Sequence, residues 1–309
     1  MSRGDDMKEQ LRCPQPLDRS APAPGVARDG EAGEPAMLRF ADADRDRHFR
    51  ELGYVIFPLL DADSIDRLTL YWRSLDDPAC RRPYALSLAS DNAALRRESS
   101  DLLASIIAPR LARILPEADF IFGGYSEKQA NEPASALPFH QDPSFVDESI
   151  WGAANIWIPL VDIDVDNGPL HVVAGSHLCP RARRAFNQAF AFAEHEAELT
   201  ALATPLLARA GEAILFAHNL FHVSPPNRSE APRLAAGGML AERGAPLLYD
   251  FVDPADRSRI HCFPATPSTF VSVPIAARPP GDAGAIVPAK ALQLGPGDLS
   301  RMRGLAQPG

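Results

Sequence analysis

Two histidines and one aspartate are placed where they could bind a metal ion. His140 and Asp142 lie two residues apart, and His222 follows later in the chain. Residues two apart in a strand point to the same face, so His140 and Asp142 can both face the interior of a β-barrel. Two imidazoles and one carboxylate on one face of Fe(II) form the facial triad, which leaves the other face open. The pattern therefore predicts an open iron site, whereas a closed four-ligand site would indicate structural zinc.

Other interpretations of these residues stay open at this point. His140 and His222 could be separate loop histidines. The pair His218 and His222 has the spacing of a zinc-protease helix, but that motif needs Glu after the first His, and this chain has Asn219 in a β-like stretch. We therefore predict that His218 is a packing or pocket-wall residue. Arg233 has a planar fork of donors suited to a carboxylate, although alone it could equally form a surface salt bridge.

These segments resemble the phytanoyl-CoA dioxygenase family of Fe(II)/2-oxoglutarate oxygenases. The resemblance covers roughly residues 50–240. Its motifs, in chain order, are His140-Gln141-Asp142, Trp157-Ile158-Pro159-Leu160-Val161-Asp162, Asn167-Gly168-Pro169-Leu170, Ala174-Gly175-Ser176-His177, His222-Val223-Ser224 and Arg233. A lone His-x-Asp would be a weak signal, but these motifs in one order make a strong one.

The resemblance implies the roles of five residues. His140, Asp142 and His222 would bind Fe(II), with 2-oxoglutarate and O₂ as cosubstrates. Arg233 would bind the distal carboxylate of 2-oxoglutarate, helped by the Ser224 hydroxyl. The implied activity is a non-haem dioxygenase that oxidises a small-molecule substrate in specialised-metabolite biosynthesis. Hydroxylation is the usual outcome, and desaturation or cyclisation at the same iron centre is the alternative.

Three further residues are candidates for the cosubstrate pocket. Asn155 and Trp157 lie two apart on a predicted strand and can face the same side. Trp157 matches a family aromatic near the cosubstrate, with core packing as the alternative. Lys128 lies where relatives often have a pocket lysine, but its position favours an exposed charge at the end of a strand.

Two other classes of function compete with the oxygenase. A non-catalytic, cupin-like binding module would retain the barrel but would not need an open iron site together with Arg233. A zinc hydrolase would need a general base beside the ligands, and the sequence offers no obvious candidate.

The elements that must position these residues are mainly short strands. From Phe120 onward, apolar and β-branched runs alternate with Gly and Pro turns, which predicts a sandwich or barrel. The expected fold is mainly β, a double-stranded β-helix (jelly roll, cupin-like) with N-terminal bracing helices. We predict one oxygenase domain over residues 37–309, with the jelly-roll core at about 118–245. The Arg233–Leu240 run is the last clear strand.

Helical patterns precede and interrupt the strands. Charged residues with apolar positions at helical spacing predict a helix from Asp42 to Leu52, ended by Gly53. Another helical region spans about 92–115. The Ala-rich segment 181–207 also has helical character, and we predict that it is a lid, with a fixed helix outside the barrel as the alternative. Its arginines, Arg181, Arg183 and Arg184, would lie on a solvated helix face or meet an anionic substrate.

Composition and charge exclude several classes of partner. The net charge of −9 argues against a nucleic-acid or acidic membrane surface, since nothing offsets phosphate repulsion. No apolar run approaches the ~20 residues needed to cross a bilayer. The four cysteines are scattered, which is typical of reduced thiols in a cytoplasmic enzyme. Residues 1–36 are rich in Pro, Gly and charge and are expected to be disordered.

Overall fold

The computed structural model describes residues 36–306, so the predicted N-terminal tail lies almost wholly outside the described residues. Thirteen strands form within this range: β1 Tyr54–Pro58, β2 Tyr84–Leu86, β3 Ala118–Lys128, β4 Leu137–His140, β5 Ala153–Pro159, β6 Leu170–Val172, β7 Thr204–Leu206, β8 Glu212–Ala217, β9 His222–Ser224, β10 Arg233–Glu242, β11 Leu247–Val252, β12 Arg259–Ala265 and β13 Ala285–Pro288. The α-helices of the same range are α1 Ala43–Leu52, α2 Ala62–Ser74, α3 Ala93–Leu111, α4 Glu196–Leu202, α5 Pro267–Ser272 and α6 Pro296–Ala306.

Two antiparallel sheets face each other around the core. The larger has the strand order β1-β8-β5-β10-β3-β2, and the smaller has the order β4-β9-β6-β7. Val172 and Leu206 of the smaller sheet pack with Ile214 and Phe216 of the larger one. Two facing antiparallel sheets of this kind form a jelly roll, which confirms the predicted double-stranded β-helix.

The alternation of side chains along β5 explains how one strand serves both the core and the interior. Ala154, Ile156 and Ile158 are fully buried and pack in the cluster formed with the N-terminal helices. Asn155 and Trp157 point to the opposite face and are only partly buried. Because strand residues alternate between faces, these two side chains are directed into the space between the sheets.

The N-terminal helices brace the outer face of the larger sheet, as predicted. Leu68 and Trp72 of α2 and Leu103 of α3 are buried against that face. An N-cap residue fixes where each of these helices begins. The side chains of Asp42, Asp61 and Asn92 each accept a hydrogen bond from a backbone N–H of the first turn. No α-helix within residues 36–306 is long and apolar enough to cross a membrane.

Gly53 ends α1 at a place where a side chain could not fit. Its φ is +83°, a left-handed conformation that favours glycine, and its N–H bonds to the Phe49 carbonyl. A Cβ on Gly53 would also lie 2.4 Å from Nδ1 of His177. The predicted stop at Gly53 is confirmed, and it allows α1 to turn directly into β1.

Segment 181–207 differs from the predicted helix. Its only α-helix is the seven-residue α4, which follows a short 3-10 helix at Ala193–His195. The segment ends in β7, and its remaining residues are irregular. Phe192 and Leu199 are fully buried in a cluster with Phe221 and with Met302 of α6. Alanine content suggested a long helix, but tertiary contacts of a few large apolar side chains determine the path of this chain segment instead.

A third sheet, β11-β12-β13, follows the jelly roll and was not predicted. The sequence Leu247–Val252 is a nearly continuous apolar run with Asp250 inside it, so it shows no period of two. Tyr249 and Phe263 of this sheet pack with Phe270 of α5 against the larger sheet of the jelly roll. The larger sheet also includes β1 and β2, which precede the expected core at residues 118–245.

Candidate metal centre

The two histidines face each other across adjacent strands. His140, the last residue of β4, is the direct register partner of His222, the first residue of β9. Their ring centroids are 4.0 Å apart. Leu137 pairs with Ser224 on the same two strands, and a register irregularity lies between the two pairs. The pairing of β4 with β9 therefore brings together two residues that are far apart in sequence.

Asp142 joins the pair although it lies beyond the end of β4. Its backbone N–H donates to the His218 carbonyl at 2.8 Å, which holds the chain beside the loop before β9. The Oδ2 atom of Asp142 lies 3.8 Å from Nε2 of His222. Among the described residues, the ligand atoms of His140, Asp142 and His222 all lie within 4.8 Å of one another. The structure thus brings all three predicted ligands together.

Backbone carbonyls fix which nitrogen of each imidazole is available. Nδ1–H of His140 donates to the Pro138 carbonyl and Nδ1–H of His222 donates to the Leu220 carbonyl, each at 2.9 Å. Each Nε2 is therefore left as the lone-pair donor. Such supporting hydrogen bonds to ligating histidines are a regular feature of metal sites.

The protonation states also suit metal binding. Burial, followed by the neighbouring His140, lowers the pKa of His222 to about 4, so this imidazole is neutral near pH 7. Burial acts to raise the pKa of Asp142, but the electrostatic influence of the surrounding imidazoles and the hydrogen bond from Asn155 together outweigh it, so the net effect is a lowered pKa. A metal ligates neutral imidazoles and ionised carboxylates, so the donor set fits the Fe(II) that the sequence predicts.

Asn155 contacts the carboxylate of a candidate ligand. Its side-chain amide donates to Oδ2 of Asp142 at 2.6 Å. The other Asp142 oxygen stays available. Asn155 was predicted as a cosubstrate contact, and in this geometry its observed contact is with the candidate ligand.

Arg233 is a buried cation and not a surface residue. It is 3% exposed, and its guanidinium lies 5.0 Å from the centroid of the Trp157 ring. Nε of Arg233 is buried without a hydrogen-bond partner, and no carboxylate within residues 36–306 forms an ion pair with it. Burial lowers the pKa of Arg233 to about 10, so it remains charged. Burying such a charge is costly unless it is paired, so the arrangement favours binding of an anion.

Lys128 lies directly beside Arg233, and the prediction of an exposed charge was wrong. The two residues are register partners on β3 and β10, and Lys128 is 0% exposed. Its ammonium donates to the carbonyls of Ser224 and Pro225. Burial, followed by the charge of Arg233, lowers the pKa of Lys128 to about 7. The strand end at which Lys128 lies is covered by the turn after β9, which the sequence pattern did not reveal.

Ser224 lies next to Lys128, and among the described residues its hydroxyl forms no hydrogen bond with Arg233. It is buried, and its hydroxyl donates to the Gly168 carbonyl at 3.1 Å. Gly168 has a φ of +76°, and a Cβ there would lie 2.7 Å from the Pro225 carbonyl. The chain at Asn167-Gly168 therefore packs directly against the end of β9.

Two further histidines, His177 and His218, are buried. His177 is fully buried and its Nε2–H donates to the carbonyl of Arg50 in α1, so it has a structural role. His218 is 1% exposed and its ring packs edge-on against Phe145 at 4.9 Å. This environment agrees with the predicted packing role.

Two of the three arginines of segment 181–207, Arg183 and Arg184, do not lie on the predicted solvated helix face. Arg183 pairs with the fully buried Asp250. Arg184 pairs with Glu148 and donates from Nε to the main-chain carbonyl of Asp142 at 2.7 Å. Neither contact could be predicted, because each joins segments that are separate in sequence.

Tyr84 is a further residue beside the buried cations, and the sequence did not indicate it. It is the register partner of Lys128 on β2, so Tyr84, Lys128 and Arg233 form one row across three strands. The Lys128 ammonium lies 5.8 Å from the Tyr84 ring centroid. The strand β2 has only three residues, which is too short to show a periodic pattern in the sequence.

The sequence profile of the phytanoyl-CoA dioxygenase (PhyH) family matches residues 49–235, which is more than half of the chain. The chain belongs to the phytanoyl-CoA dioxygenase family. It is therefore a non-haem oxygenase that depends on Fe(II) and 2-oxoglutarate. No curated protein sequence matches the chain.

The chain is similar to several solved structures. HygX from Streptomyces hygroscopicus, with nickel and 2-oxoglutarate bound, shares 16% identity over 67% of this chain and 89% of that chain, with a TM-score of 0.50. EctD from S. alaskensis, with 2-oxoglutarate and 5-hydroxyectoine, shares 19% identity over 67% of this chain and 78% of that one, at a TM-score of 0.47. The carbocyclase SnoK from nogalamycin biosynthesis shares 19% identity over 70% of this chain and 89% of that chain, with a TM-score of 0.49. The likeness to HygX supports the jelly-roll fold of this phytanoyl-CoA dioxygenase family member.

Proposed function

We propose that His140, Asp142 and His222 hold the iron of this oxygenase and that Arg233 binds the distal carboxylate of 2-oxoglutarate. The observation that carries the proposal is the convergence of the three ligand atoms within 4.8 Å. Arg233 supports it, because its charge is buried and its Nε has no hydrogen-bond partner. Lys128, beside Arg233, adds a second positive group suited to a dianionic acid.

Each side chain then has a defined task. The bound iron supplies the redox chemistry that couples decarboxylation of 2-oxoglutarate and consumption of O₂ to oxidation of a substrate C–H bond. His140 and His222 present Nε2 because their Nδ1–H groups are held by carbonyls. Trp157 covers the Arg233 guanidinium and excludes water from it. A charge-assisted contact to a carboxylate is strengthened where water is excluded.

The proposed substrate is a small molecule of specialised metabolism, and hydroxylation is the proposed outcome. The net charge of −9 disfavours nucleic acid as the substrate. Mass spectrometry of the product distinguishes the outcomes, since hydroxylation adds one oxygen atom whereas desaturation or ring closure removes two hydrogen atoms.

Replacing Arg233 by Met tests the cosubstrate assignment. Losing a charge-assisted contact costs about 1.5–3 kcal/mol, so the apparent KM for 2-oxoglutarate should rise by roughly one to two orders of magnitude. Fe(II) affinity should stay near that of the wild type. The measurement is succinate formation as a function of 2-oxoglutarate concentration, with Fe(II) binding measured separately.

The exposed Arg228 offers a matched control on the same stretch of chain. Arg228→Met should leave the dependence on 2-oxoglutarate unchanged. An unchanged dependence in Arg233→Met would exclude Arg233 as the carboxylate partner.

A further inference from the structure

The loop that carries Asp142 needs support from outside its own strand. β4 ends at His140, so no strand pairing reaches Asp142. The loop is held by the bond from the Asp142 N–H to the His218 carbonyl and by a bond from the Ser144 N–H to the Arg184 carbonyl at 2.9 Å. A ligand in an irregular segment keeps its geometry only where such contacts fix the backbone.

Arg184 joins the two ends of this loop. Its Nε donates to the main-chain carbonyl of Asp142 at 2.7 Å, and its Nη2 pairs with Glu148 at 2.5 Å. The third nitrogen, Nη1, donates to the Ala182 carbonyl at 3.1 Å. The arginine side chain is only 10% exposed. All three guanidinium nitrogens are therefore committed, and the rigid fork leaves little freedom for the Asp142 peptide.

We propose that Arg184 is a positioning residue that sets the metal-binding conformation of Asp142 through its backbone. This inference rests on the proposed role of Asp142 as an iron ligand. Asn155 fixes the carboxylate itself, whereas Arg184 fixes the main chain from which the carboxylate projects. The two supports come from different elements, β5 and segment 181–207, so they can be removed independently.

The neighbouring Arg183 is a control that distinguishes positioning of Asp142 from simple anchoring of segment 181–207. Arg183 forms a bidentate pair with Asp250 of β11, with Nε and Nη2 at 2.9 and 2.8 Å from the carboxylate oxygens. Within residues 36–306, Arg183 forms no hydrogen bond or ion pair with His140, Asp142 or His222. Both arginines thus anchor the same segment through ion pairs, but only Arg184 touches the backbone of Asp142.

The test is metal binding by apo protein under anaerobic conditions, with Fe(II) affinity from titration and the visible bands of bound Co(II) as a report on coordination. Loss of a group that supports a ligand typically costs about 10–100-fold in metal affinity, and this range is expected for Arg184→Met, with altered Co(II) bands. Arg183→Met should bind metal within about twofold of the wild type, whatever it loses in stability. Arg184→Lys, which keeps the charge but cannot span both partners, should show an intermediate loss.

Circular dichroism confirms that each variant is folded, and Arg184→Lys gives the answer if Arg184→Met does not fold. Wild-type affinity and Co(II) bands in a folded Arg184 variant would overturn the proposal. An equal loss in Arg183→Met would do so too, because anchoring alone would then explain the effect. If wild-type protein binds no metal, or Asp142→Ala binds it as well as the wild type, the ligand assignment fails first and this inference fails with it.

Discussion

At the scale of single residues, the site consists of groups held in the form that a metal requires. Carbonyls of Pro138 and Leu220 each accept the Nδ1–H of a histidine, so each Nε2 is free. Asn155 donates a hydrogen bond to Oδ2 of Asp142 and leaves the other carboxylate oxygen available. The energetic cost of burying these polar groups is offset because each has a partner, and metal binding completes the set.

Lys128 provides a prediction about protons. Its pKa of about 7 means that much of it is neutral at pH 8 before the cosubstrate binds. A dianion beside Lys128 favours the charged form, so binding 2-oxoglutarate at pH 8 should take up a proton. At pH 6 the lysine is already charged and uptake should vanish. Calorimetry of 2-oxoglutarate binding to Mn(II)-loaded protein, in two buffers of different ionisation enthalpy, measures the proton count.

Lys128→Met is the control, and it should abolish the uptake at pH 8. Equal binding enthalpies in both buffers with the wild type at pH 8 would mean that Lys128 does not change its charge on binding.

The sequence indicated the candidate ligands more clearly than the residues that surround them. His140, Asp142, His222 and Arg233 were predicted because family motifs specify them by type and order. The burial of Lys128 and the contact of Arg184 with the Asp142 carbonyl depend on how distant loops cover the sheet. Such contacts leave no periodic pattern in the sequence.

At the scale of elements, the register of strands assembles the site. β4 and β9 bring His140 opposite His222, and β3 and β10 bring Lys128 opposite Arg233. The elements with clear patterns, such as the capped α1 and the alternating β5, were predicted. Tertiary contacts determine segment 181–207, so its predicted helix was mostly wrong.

Arg96 of α3 ties that helix to α5 and gives a prediction about stability. It is 1% exposed, and its guanidinium donates to the carbonyls of Ser90, Val271 and Ser272. Arg96→Met removes these bonds and leaves buried carbonyls unsatisfied, which should lower the free energy of unfolding by about 3–5 kcal/mol. Chemical denaturation measures the change.

The adjacent Arg97 is exposed, so Arg97→Met should change stability by about 0.5 kcal/mol or less. If the two variants have similar free energies of unfolding, the three hydrogen bonds of Arg96 do not stabilise the fold.

At the scale of the whole molecule, segment 181–207 links the jelly roll to the C-terminal sheet. Asn187 exchanges two hydrogen bonds with the backbone of Val252, at 2.7 and 2.9 Å. Arg183 pairs with Asp250 on the same strand, β11. The lid role stays a prediction, but these contacts favour its alternative, a fixed scaffold.

Hydrogen exchange distinguishes the two. A scaffold anchored at Arg183, Asn187 and the buried Phe192 should be protected already in the ligand-free protein. Adding metal, 2-oxoglutarate and substrate should then change its exchange little. Fast exchange that slows strongly on adding these ligands would establish a lid.

The most direct test of the central claim is the binding of Fe(II) to wild-type protein and to Asp142→Ala, measured by anaerobic titration together with succinate formation from 2-oxoglutarate. The jelly-roll core does not depend on this carboxylate, so the variant should remain folded. We expect one Fe(II) per wild-type chain and an affinity in the variant lowered by more than about a hundredfold, since loss of a supporting residue alone costs about 10–100-fold. Succinate formation should be lost. Wild-type iron binding and iron-dependent activity in folded Asp142→Ala would contradict the assignment of this site.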